Sequence, residues 1–225
     1  MSSVFGHSLA AVTVYLATKS IAKPRPIIER LRHYLNRPRY FVWILWLIVV
    51  ASIPDLDYLV EAWHPSNNEG LRITHSILFC LIVPSLTIVV LFFLEVKAKR
   101  LKLYSSQVIL AGLSHLLLDL FVGVTPIPLL FPVVNLPIKL PFGILPSAGK
   151  IDLSNYYFYR NLKLEMGVLL PIFAFVCLWS DRGARAGGNA RSIGSSKYLS
   201  IKIFISTLLF LCCGYFVRLN LALPR

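Results

Sequence analysis

Three stretches without a single charged side chain, Phe41–Pro54, Ile77–Leu94 and Gly167–Ser180, set the strongest limit on what this chain can become. Runs of this length and hydropathy exceed what one water-soluble core of 225 residues can bury, and 56% of the sequence is hydrophobic against 15% charged. Soluble domains stand nearer 45–50% apolar and about 25% charged. The reading is a multi-pass integral membrane protein, an all-α helical bundle. A spanning helix takes roughly 20 residues. On that scale five to six transmembrane helices are expected, near residues 3–18, 40–54, 74–95, 105–122, 164–180 and 198–217.

No Lys or Arg precedes Lys19, so the apolar start lacks the charged region of a signal peptide and reads as a retained helix. The stretch 123–163 differs from the spans. Pro126, Pro128, Pro132, Pro137, Pro141 and Pro146 forbid a continuous helix there. It is too apolar for an ordinary wet loop, and the expectation is an interfacial or re-entrant segment. Residues 1–180 form the membrane-embedded unit, 181–197 a flexible basic linker rich in Gly, Ser and Arg, and 198–225 a C-terminal transmembrane helix.

The charge balance, 23 Lys and Arg against 10 Asp and Glu, would raise nucleic-acid binding in a soluble chain. Here the basic residues gather in connections at 19–39, 95–102 and 181–197, and these alternate with 55–72, which is acidic. That is the positive-inside pattern, so the basic loops are expected in the cytoplasm of a cell-membrane protein, with lipids rather than nucleic acid as neighbours. Trp43, Trp46, Trp63 and Trp179 fit interfacial anchoring or lipid contact. The four cysteines lie in apolar runs without metal-type or disulfide spacing.

The titratable residues can be threaded through this alternation. His7 lies in the first helix, Asp55 and Asp57 end the second, and His75 begins the third. His115 and Asp119 lie in the fourth, and Glu165 begins the fifth. All seven fall at the same, non-cytoplasmic membrane face. His115 and Asp119, four residues apart, share one helix face. Asp55 and Asp57 converge only if the chain leaves the α-helix after Pro54, so a turn is expected there. Thr74 is the expected N-cap of the third helix. His33 reads as part of a basic surface and His64 as loop. Imidazole with carboxylate donors suits zinc foremost, then manganese or another transition metal. Three histidines with three or four carboxylates fit a two-metal hydrolase centre, in which metal lowers the pKa of a bound water and clamps the oxygens of a phosphoester.

The order of these elements, an early His, Pro-Asp-x-Asp at 54–57, Thr-His-Ser at 74–76 and His-x-x-x-Asp at 115–119, resembles the YdjM-type membrane-bound metal-dependent hydrolases. The likeness runs from about residue 5 to 170 and takes in Thr125–Pro132 and the Arg160 to Glu165 entry of the next helix. The family in turn looks distantly like zinc-dependent phospholipases C. The resemblance implies His7, Asp55, Asp57, His75, His115 and Asp119 as metal ligands or their support. It leaves Glu165 or His7 to complete the shell or act as general base, on an ester or phosphodiester of a lipid or amphiphile. One departure stands out. The family often reads His-Arg-Gly-x-Thr-His-Ser, whereas Gly70 and Leu71 occupy the first two places here and Arg72 is shifted by one.

Two other readings use the same residues. A transporter or ion-handling protein would continue the polar path toward the cytoplasm, where Ser85 and Thr87 are isolated. A structural membrane protein would use the cluster as a packing network.

Overall fold

The computed structural model describes residues 2–19, 38–58, 60, 71–123, 125–147, 154–179 and 193–222. Among the described residues six α-helices form the frame: α1 (Val4–Lys19), α2 (Pro38–Ser52), α3 (Ile77–Phe93), α4 (Ala98–Val122), α5 (Tyr156–Trp179) and α6 (Ile193–Ala222). Among the described residues there is no strand beyond an isolated bridge between Ile127 and Ile138. Among the described residues four helical stretches are long and apolar enough to cross a membrane, Pro38–Asp57, Ala98–Val122, Tyr156–Trp179 and Leu199–Ala222. Val4–Thr18 and Ile77–Phe93 are shorter apolar helices. The fold is an all-α membrane bundle. The linker 181–197 lies mostly outside the described residues, as do most of the 19–39 connection, His33, Trp63, His64 and Gly70.

α1 is the axis of the bundle, packed against α2, α4 and α5, while α3 lies on α4 and α6 along α5. His7, Ala11 and Tyr15, spaced by four, make a stripe of α1 without solvent contact. Leu47, Val50 and Ala51 of α2 and Val108 and Ala111 of α4 close on it. The outward faces are apolar instead. Phe92, Phe93, Phe204 and Phe210 are each well over half exposed. Polar groups inside and hydrocarbon outside is the arrangement a lipid solvent favours.

Polar side chains also tie the helices together. Trp43 donates through Nε1 to Gln107 Oε1 at 2.7 Å, and Gln107 Nε2 donates to Thr18 Oγ1 at 2.9 Å, linking α2, α4 and α1. Trp179 bonds to Ser206 between α5 and α6. These indoles serve as interhelical ties, a use that the anchoring expectation did not include.

Several boundaries shift from expectation. Ser76, not Thr74, caps α3, accepting from the Phe79 N–H at 3.2 Å, and Thr74 and His75 belong to a preceding 3₁₀ turn, Ile73–His75. α5 begins at Tyr156, so Glu165 sits in its third turn rather than at its start. α4 likewise begins at Ala98. Hydropathy locates the apolar part of a helix, and these helices carry polar or aromatic turns beyond it.

The proline-rich stretch folds back onto the bundle end. Ile127 and Leu145 are buried, whereas Val133 and Leu136 are exposed. Leu129 offers its carbonyl to the Ile77 N–H at the start of α3. The Phe121 carbonyl near the end of α4 accepts from Ile144 and Leu145 N–H. Between them Gly123 ends α4 in the left-handed region, φ 61°, with the Phe142 carbonyl oxygen 2.9 Å from where a Cβ would stand.

Candidate metal centre

The site grows from one end of the bundle. His7 lies in the first turns of α1, and His115 and Asp119 in the last two turns of α4. After α2 the chain tightens into a 3₁₀ turn, Ile53–Tyr58, which carries Asp55 and Asp57. Pro54 has no N–H, so the i→i+3 pairing of that turn leaves the Ala51 carbonyl open. That carbonyl accepts from His115 Nδ1 at 2.7 Å. Since a carbonyl only accepts, Nδ1 carries the proton and Nε2 turns its lone pair into the site.

Nε2 atoms and carboxylate oxygens then converge. His7 Nε2 is 3.6 Å from Asp55 Oδ2 and 3.7 Å from Asp119 Oδ1. His115 Nε2 is 3.7 Å from Asp55 Oδ1 and 3.7 Å from Asp119 Oδ2. His75 Nε2 is 3.0 Å from Asp119 Oδ2, 3.5 Å from Asp55 Oδ1 and 3.1 Å from His115 Nε2. The His7 and His115 rings stack at 4.0 Å, and His75 meets His115 edge-on. All three rings are fully buried. The Asp55 side chain is 16% exposed, making it the member of the cluster nearest the outside.

The donor set fits a divalent metal. His7, Asp55, His115 and Asp119 each offer one ligand atom, and these lie within 4.8 Å of one another. Donors about 2.0–2.2 Å from a zinc ion stand roughly 3–3.6 Å apart, close to the spacings here. Both ring nitrogens of the buried His7 lack a hydrogen-bond partner among the described residues, a costly state for an imidazole with nothing to bind.

The other expected residues have different places. Asp57 is fully buried and held by Arg72, which donates to it from Nε at 2.7 Å and Nη2 at 3.1 Å, while its Oδ2 lies 3.8 Å from His75 Nδ1. Thr74 Oγ1 donates to Asp57 Oδ2 at 3.3 Å and lies 3.0 Å from His75 Nδ1, so a chain of contacts runs from Asp57 to His75. Glu165 accepts from the Ser3 N–H at 2.9 Å and from Ser2 Oγ, which caps the N-terminus of α1 with a carboxylate. The Ser2 N–H donates to Asp119 Oδ1 at 2.7 Å. α1 is thus fixed at its first turn to both α4 and α5.

Arg72 is the residue that the sequence reading passed over as a displaced motif member. It is nearly buried and faces Asp55, Asp57 and Asp119. Its signal was available: an Arg two places before Thr-His-Ser, in an otherwise acidic connection. Burial opposes its charge, and the bonds to Asp57 outweigh this, raising its pKa. For His75 too, burial works against protonation and is outweighed by Asp119 and Asp55, so its pKa stands above the usual imidazole value. The cluster attracts positive charge; a proton on His75 and a metal ion compete for the same space.

A family model described as YdjM inner membrane protein matches residues 1–186. The chain belongs to that family. No curated protein and no solved structure matches it.

Proposed function

We propose that this member of the YdjM inner membrane protein family is a metal-dependent hydrolase acting on an ester or phosphodiester of a lipid or amphiphile. The observation that carries the reading is the convergence of His7, Asp55, His115 and Asp119 from three chain segments on one small volume, with His75 beside them. A divalent ion held there, zinc foremost, supplies Lewis acidity: it lowers the pKa of a bound water and polarises the scissile ester.

The protein's own residues do the rest. Ala51 and Thr74 orient the His115 and His75 rings from behind. Asp55 is the partly exposed member of the cluster, next in the chain to the exposed Leu56, and marks the side from which substrate would reach it. Exposed apolar residues of the 125–147 segment at the same bundle end, among them Leu130 and Val133, form a surface for an acyl chain. The site faces the non-cytoplasmic side on the positive-inside reading. In support, Lys97, Lys99, Arg100 and Lys102 lie at the far end of α4, about 20 Å or more along the helix from the His115–Asp119 turn.

The test is elemental analysis of the detergent-purified protein beside a His115→Ala/Asp119→Ala variant, followed by phosphodiester and phospholipid turnover assays. Stoichiometric transition metal in the parent, lost in the variant along with turnover, is the expected result. Absence of metal in both after reconstitution with zinc and manganese overturns the reading, leaving a polar packing network or an ion path.

A further inference from the structure

We infer that Arg72 is a built-in second cation of this centre, so that the chain binds one divalent ion where its carboxylates alone would accommodate two. The inference rests on the metal-centre reading above. Two-metal hydrolytic sites place their ions about 3.5–4 Å apart and share carboxylates between them. Asp55 and Asp119 have that bridging character here. One oxygen of each is shared: Asp55 Oδ1 lies 3.5 and 3.7 Å from His75 and His115 Nε2 and 3.2 Å from Arg72 Nη2, and Asp119 Oδ2 lies 3.0 and 3.7 Å from the same imidazoles and 3.7 Å from Arg72 Nη1.

The guanidinium fills the second position. Its Nε and Nη2 grip Asp57 with a bidentate fork at 2.7 and 3.1 Å, the geometry that makes Arg a strong and directional carboxylate partner. Nη2 also donates to Asp55 Oδ1 at 3.2 Å, and Nη1 lies 3.7 Å from Asp119 Oδ2. Asp57, whose nearest imidazole contact is His75 Nδ1 at 3.8 Å, is thus the principal ligand of this second cation, as His7 and His115 are of the first.

Charge gives the same count. Of the three carboxylates that Arg72 faces, Asp55, Asp57 and Asp119, it offsets one, and the remaining two negative charges match one divalent ion; Glu165, the fourth buried carboxylate at this end, is taken up by Ser2 and Ser3 at the start of α1. A second metal ion would have to enter beside a fixed positive charge in a buried, weakly screened place.

The experiment titrates the metal-free, detergent-purified full chain with Mn²⁺, reading bound ion by equilibrium dialysis and ion–ion coupling by electron paramagnetic resonance. Expected is saturation at one ion per chain with an uncoupled spectrum. Arg72→Gln should bind a second ion and show a spin-coupled signal, whereas Arg72→Lys, which keeps the charge, should remain at one. Two ions in the parent overturn the inference and leave the hydrolase reading standing. So does an Arg72→Gln chain with parental helicity that never binds a second ion. If Arg72→Gln does not fold, the parent's own stoichiometry and spectrum decide. No bound ion in the parent overturns the metal-centre reading itself and this inference with it.

Discussion

His75 and His115 bring their Nε2 atoms to 3.1 Å of each other, although their rings are held from behind by different elements, His75 at Thr74 and His115 at Ala51. Two imidazole lone pairs at that distance repel unless a proton or a metal ion lies between or beside them. A ligand that binds only the folded state stabilises it by mass action, by about 2.7 kcal/mol at roughly 100 times its dissociation constant. We therefore expect zinc or manganese to raise the thermal unfolding midpoint of the parent and a chelator to reverse the gain. The His115→Ala/Asp119→Ala chain should respond to neither. An equal rise in both chains would show that the metal acts elsewhere.

Asp57 touches no imidazole of the cluster as closely as Asp119 does, yet it holds Arg72 and, through Thr74, His75. Partners that orient ligands are typically worth about 10–100-fold in metal affinity. Thr74→Val should weaken binding by that order without abolishing it, as read by competition with a chromogenic chelator. An unchanged affinity would detach Thr74 from the centre.

Glu165 is bonded to the first residues of α1. Its removal leaves buried donors without an acceptor, a loss of about 1–3 kcal/mol. Glu165→Ala should lower the unfolding midpoint while the chain still binds metal in parental stoichiometry. Loss of the metal at temperatures where the helices persist would return Glu165 to the ligand set.

Gly112 lies one turn before His115, where α4 crosses α3. A Cβ there would meet the Cys80 carbonyl oxygen at 2.7 Å and Pro84 Cγ at 3.1 Å, and the carbonyl belongs to backbone that cannot swing aside. Overpacking of this kind costs about 1–3 kcal/mol. Gly112→Ala should therefore lower the unfolding midpoint, whereas Gly214→Ala, with open space around it inside α6, should raise it slightly, since alanine is the better helix former by about 0.5–1 kcal/mol. Equal midpoints for the two variants would mean that α3 moves away freely.

Much of the candidate site was legible because lipid leaves so few reasons for an ionisable side chain inside a helix. His7, Asp55, His75, His115 and Asp119 were all named from the sequence, and the structure brings the five together at one end of the bundle. Asp57 and Glu165 were named with them, but their partners, Arg72 and the Ser2–Ser3 turn, depend on contacts across 15 and 162 or more positions that no local pattern displays. Arg72 itself was seen only as a departure from a motif. Its position in space, between three carboxylates, gives it a role that its position in the chain did not.

The sequence by itself determined the solvent, the helices and the family. Uncharged runs too long for a small aqueous core demand lipid, and intrahelical bonding is then the way to satisfy their backbones. His-x-x-x-Asp also needs no tertiary help, since four residues bring two side chains to one face of any α-helix. The tertiary structure alone decided which charges meet. Where α2 tightens into the 3₁₀ turn, Asp55 reaches both the imidazoles and the guanidinium, and Asp57 chiefly the guanidinium. Where α1 docks decides that Glu165 holds a helix end and His7 faces the cluster. Those outcomes follow from packing between elements distant in sequence, because a buried charge is settled by whichever partner the fold brings within about 3–4 Å of it.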